Sequence, residues 1–169
     1  MRRVIIILLA CLILSACLPV QGPALVATPV PYTLNTPEEI RQYLNDWAPT
    51  AQDMGYPYEI LDVTPEKDSN GNLIAWVIAA KDPGETYKDG MCVVPIIGLS
   101  FIIKNYLDTG RAGEISSVAP ATLAVIKVHC FDSEGVDQQL ISTRWADVVA
   151  LGKGALTTSK MLLKITSEP

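Results

Sequence analysis

Apolar and polar positions alternate in three different ways along this chain, and each way predicts a different kind of segment. Residues 4–14 form an unbroken apolar run directly after Arg2 and Arg3. Residues 18–35 carry no charge, and Pro19, Pro23, Pro29 and Pro31 leave no room for a helical or strand period. Periodic patterning begins at Thr36. Ile40, Tyr43, Leu44 and Trp47 fall at i, i+3, i+4 and i+7, one apolar face of a helix. Thr36 and Glu39 fit a capping box around Pro37 at the first helical position. Pro49 reads as the stop of that helix, with residues 50–54 adding at most a turn before Gly55.

Residues 58–64 and 73–80 then read as two strands of a hairpin, because Asn70-Gly71 between them tolerates positive φ. The second strand is apolar on both faces, which predicts a central place in a sheet. Residues 91–103 form a second apolar run, too short for a membrane span. Ile96, Leu99, Ile102, Ile103 and Tyr106 are helically spaced, which predicts a buried helix over residues 95–108 ending near Gly110. A second hairpin is expected from residues 114–118 and 123–131, turning near Pro120. After residues 132–135 a mixed stretch reads as helical through residues 145–151, stopped by Gly152, and a last strand follows over residues 158–166. Residues 59–65 align with residues 114–120, and each follows a helix and a glycine, which suggests a helix-strand-strand duplication. The expected fold is a single α+β domain. It has a mostly antiparallel sheet of about five strands and two to three packed helices.

Composition narrows the function classes. The chain has 169 residues, 49% hydrophobic, with 13 basic and 18 acidic side chains and a net charge of −5. Its length suits one domain. The acidic balance argues against nucleic acid, which selects a basic patch.

The first residues look like an export signal: a short basic start, an apolar stretch too short to span a bilayer, and then small residues. That stretch ends in Leu14-Ser15-Ala16-Cys17. These four residues resemble, at every position, the lipobox of bacterial lipoproteins. The resemblance covers residues 1–17 only. It implies cleavage before Cys17, acylation of the Cys17 thiol, and a domain held outside the cytoplasm at the cell membrane or outer membrane. Leu18 follows where a Gram-negative inner-membrane retention signal would carry Asp, which points to the outer membrane in such a host. Two or more acyl chains anchor stably where one does not. Loss of residues 1–16 removes two arginines and no acid, so the net charge goes from −5 to −7. Anionic headgroups repel such a domain mildly. Residues 17–35 are then the lipidated cysteine and a proline-rich tether, and residues 36–169 the globular domain. An extended tether of that length reaches on the order of 50 Å. The alternative is an arm packed on the domain, since Leu25, Val26 and Val30 are apolar.

Cys11 leaves with the signal and Cys17 carries lipid, so Cys92 and Cys130 remain. In an exported domain two remaining cysteines suggest one disulfide, closing a loop of about forty residues. Two buried free thiols are the alternative.

Candidate chemistry is sparse. His129 is the sole histidine, and as a strand neighbour of Cys130 it points to the opposite face, so the two form no dyad. Ser100 lacks the second glycine of a nucleophile elbow. Gly152-Lys153-Gly154 lacks the spacing of a phosphate loop and reads as a helix stop. Residues 66–71 faintly resemble a calcium loop, but Val77 stands where its bidentate glutamate belongs, so a tight turn is expected. Glu38 and Glu39 read as a helix start, and Glu85 and Asp89 as a solvated loop. Tyr56 and Tyr58 beside Trp47 either close the core or line a ligand groove. No catalytic, metal or cofactor residue is singled out. The expectation is a non-catalytic lipoprotein that binds an envelope protein or supports an assembly. The alternatives are a small-ligand-binding lipoprotein, which needs an aromatic pocket with convergent polar groups, and a carboxylate-based envelope hydrolase, which needs two acids facing across a cleft.

Overall fold

The computed structural model describes residues 32–84, 88 and 90–168. The lipobox, Cys17, most of the tether, Glu85 and Asp89 lie outside the described residues. The fold is a single α+β domain. Helix α1 (Pro37–Asp53) is followed by β1 (Glu59–Lys67) and β2 (Leu73–Lys81). Helix α2 (Val93–Asp108) leads through a 3-10 helix (Ala112–Ser117) to β3 (Val125–Phe131) and β4 (Asp137–Arg144). Helices α3 (Trp145–Gly152) and α4 (Thr158–Leu162) precede β5 (Thr166–Glu168). The five strands lie in sequence order in one sheet. Among the described strands only β2 and β3 pair in parallel, because α2 carries the chain back between them.

Helix α1 starts as its sequence dictates. Thr36 Oγ1 accepts from the Glu39 amide, and the Glu39 carboxylate accepts from the Thr36 amide. Pro49 does not stop it. The helix runs on to Asp53, with Ala51 continuing the buried face; separately, Tyr58 donates to the Leu44 carbonyl. Leu34, placed at the end of the tether by the sequence, is fully buried, and Trp76 Nε1 donates to its carbonyl at 3.0 Å. The folded part therefore begins before Thr36.

The helix-strand-strand unit does occur twice, but not on the expected segments. Residues 114–118 belong to the 3-10 helix and its end rather than to a strand. The equivalent hairpins are β1–β2 and β3–β4, and their turns match at Asp68-Ser69-Asn70-Gly71 and Asp132-Ser133-Glu134-Gly135. The mixed stretch before Trp145 is strand β4. Ile141 and Thr143 point inward from it, while Ser142 stays half-buried and Arg144 exposed. Residues 158–162 are helical, not extended. Thr157 caps them by accepting from the Lys160 amide, and Met161 is fully buried.

One face of the sheet carries the core. Ile60, Val63, Trp76, Ile78, Ile126, Val128, Cys130 and Ile141 are buried there with Leu99, Ile103 and Val148 from the helices. Cys92, just before α2, is bonded to Cys130 in β3, with Cα atoms 5.7 Å apart. The bond ties the middle helix to the sheet. It also puts the domain in an oxidising compartment, outside the cytoplasm. Among the described residues no helix is long and apolar enough to cross a membrane.

Candidate binding groove

Helices α1 and α2 pack against one another. The Tyr43 hydroxyl donates to the Gly98 carbonyl at 2.9 Å, and the Trp47 ring lies 5.8 Å from that of Phe101. At the end of this seam, where α1 stops and α2 begins, the surface opens into a groove of ≈440 Å³. It is lined by Met54 and Tyr56 just beyond α1, by Val94, Ile97 and Phe101 of α2, and by Leu162 of α4. Met54, Tyr56, Phe101 and Leu162 are 50%, 39%, 41% and 48% exposed. Among the described residues, Thr158 and Tyr56 alone bring a hydrogen-bonding side chain to the groove.

Tyr56 and Tyr58 thus part company. Tyr58 is buried and stacked on Trp47 at 6.3 Å, with its phenol pushed well above the ordinary range by burial. Tyr56 alone of the two lines the groove. The other liners escape sequence reasoning because Val94, Ile97 and Phe101 share the apolar run that predicts a buried helix. Trp47 and Trp76 are core residues, while Trp145 is half-buried beside a separate shallow recess with Ile115, Val149 and Lys153.

Among the described residues the buried Thr143 Oγ1 has no hydrogen-bond partner, while the candidate polar side chains are engaged in structural bonds. His129 lies on the sheet face opposite Cys130, as expected, with Nε2 2.7 Å from Asp137 Oδ2. Ser100 is buried and donates to the Ile97 carbonyl at 2.7 Å. Asp82 is buried and accepts from the Gly84 and Lys88 amides. Asp68 and Asp132 close tight turns, and hydrogen bonds to each carboxyl hold it below the usual range. Gly152 ends α3 and Gly154 follows at φ 71°, so the glycine pair is a helix stop. Asp147 is buried between Arg144 and Lys164. The Tyr32 hydroxyl donates to Asp46 Oδ2 at 2.5 Å, which pushes its pKa up to about 12. No group of three or more metal-ligating side chains occurs among the described residues.

Comparison with protein-family models, with curated proteins and with solved structures finds no match for this chain.

Proposed function

We propose that this chain is a membrane-anchored envelope lipoprotein whose folded domain is a non-catalytic binding module, and that the groove between α1, α2 and α4 receives an envelope protein. The observation that carries the reading is the clustering of Met54, Tyr56, Phe101 and Leu162, four large exposed apolar side chains, on one groove. Scattered apolar residues on a surface are ordinary, whereas a contiguous patch marks an interaction site. Aromatic and methionine side chains of this kind form the centres of protein interfaces. The lipobox supports the anchor, and the Cys92–Cys130 bond supports an extracytoplasmic site. A small polar ligand would need several converging hydrogen-bonding groups, and this groove offers two. A carboxylate hydrolase would need a pair of free facing acids. Asp82 and Asp147, the two buried acids among the described residues, are each taken up by amides or cations.

The test is crosslinking in intact membranes followed by mass spectrometry, with wild type, Phe101→Leu and Phe101→Glu. A stoichiometric protein partner that Phe101→Leu retains and Phe101→Glu loses at least tenfold is the expected result. A crosslinking pattern unchanged by Phe101→Glu overturns the groove as the docking face. For the anchor, Cys17→Ala releases the protein from membranes; unchanged retention removes the lipoprotein reading.

A further inference from the structure

The geometry points to a resident occupant of this groove: the chain's own uncharged segment, residues 25–30. The inference rests on the groove being a binding face, and it names what fills that face when no partner does. Three observations carry it. First, the described chain enters on the same seam. Tyr32 packs edge-on against Tyr43 of α1 at 4.8 Å, bonds Asp46, and its carbonyl accepts from Tyr106 of α2. Tyr43 in turn bonds Gly98, and Trp47 meets Phe101, so the seam continues from Tyr106 back towards Val94 and the groove.

Second, the lengths agree. From Tyr106 to Val94 is twelve residues of helix, about 18 Å. From Tyr32 back to Val26 is six residues, about 19 Å in the extended geometry that Pro29 and Pro31 favour. Val30 then comes level with Phe101, and Val26 with Val94 and Met54.

Third, the chemistry agrees. Residues 18–35 carry no charge, and Leu25, Val26 and Val30 supply apolar side chains to a groove with almost no polar lining. In that extended geometry successive side chains turn by about 120°, so Val26 and Val30 project to different sides and meet different parts of the groove's lining. Docking shortens the free tether from fourteen residues to seven, from about 43 Å to about 22 Å. A partner that displaces the arm therefore also lets the domain stand further from the membrane.

The test uses the full chain reconstituted in phosphatidylethanolamine and phosphatidylglycerol vesicles, with no partner present. Under mild oxidation Val26→Cys with Met54→Cys forms a disulfide at least tenfold faster than Val26→Cys with Thr64→Cys, Thr64 being exposed on β1. Equal rates, or no bond in either pair, overturn the proposal. A second readout needs no crosslink. A single Phe101→Cys reacts with maleimide at least fivefold faster when Val26 and Val30 are both replaced by Asp. The same rate with either arm overturns the proposal. Neither readout involves a partner, so the arm can fail while partner capture through Phe101 stands, and the reverse.

Discussion

Asp68 and Asp132 hold the two hairpin turns of the sheet with the same set of bonds. Oδ1 of each accepts from the amides two and four residues on, Asn70 and Asn72 in one turn, Glu134 and Val136 in the other. The amide of each donates to the carbonyl four residues on, and each turn has its glycine, Gly71 or Gly135, at φ 83°. A Cβ at either glycine would meet nothing within 4 Å. The cost of a side chain there is therefore backbone strain alone, about 1–2 kcal/mol. Gly71→Ala and Gly135→Ala are expected to lower stability by the same amount, measured by urea denaturation. A severe loss in one and none in the other would separate the two turns.

That pair also shows what the chain discloses and what it conceals. Asn70-Gly71 announces its turn, whereas Glu134-Gly135 does not, so the proline at position 120 draws the expected second hairpin too far towards the N-terminus. Its second strand, β4, opens with Asp137, Gln138 and Gln139, and its alternation shows only from Leu140 to Arg144. The true repeat is anchored on the Asp-Ser-x-Gly turns, and the apparent likeness of residues 59–65 and 114–120 joins a strand to a 3-10 helix. Helix α1, β1, β2, α2 and the disulfide are legible because capping, alternation and cysteine number each act locally. The groove is not. Helical spacing already puts Leu99 on the buried face and leaves Phe101 off it, but only tertiary packing brings Phe101 together with Met54, Tyr56 and Leu162.

Gly98 is where α2 closes on α1. A methyl group there would lie 2.7 Å from Trp47 Cε3, inside the contact distance of a rigid, buried ring. Gly98→Ala gains helix propensity but overpacks the seam, for a net loss of about 1–2 kcal/mol. Trp47→Leu in the same chain removes the clash. The expected double-mutant cycle therefore shows that Gly98→Ala costs less in the Trp47→Leu background than beside the native indole. An equal cost in both backgrounds would mean that Trp47 moves aside freely.

The bond between Cys92 and Cys130 spans 38 residues. Closing a loop of that length restrains the unfolded chain by about 4 kcal/mol in the chain-entropy model. Replacing both cysteines by Ala is expected to cost about 2–5 kcal/mol, read from chemical denaturation. Thiol labelling of the denatured, unreduced protein should find neither cysteine. Labelling at both would contradict the bond directly.

Asp147 gives the domain an acid-sensitive joint. Its carboxylate, 7% exposed, accepts from Arg144 Nε at 2.8 Å and from Lys164 Nζ at 2.6 Å, tying the start of α3 to the segment before β5. The Arg144 bond, then the Lys164 bond, hold the carboxyl below its usual range against the opposing effect of burial. A carboxyl with a lower pKa folded than unfolded stabilises the fold above the unfolded value, about 4, and loses that contribution as pH falls towards the folded value. Asp147→Asn keeps the shape but not the charge. At pH 7 it should lower stability by about 1–3 kcal/mol, as expected for charge-assisted bonds. The difference in melting temperature between wild type and Asp147→Asn should then narrow steadily from about pH 5 to about pH 3. A gap that stays constant over that range would show that the two cations add nothing beyond neutral hydrogen bonds.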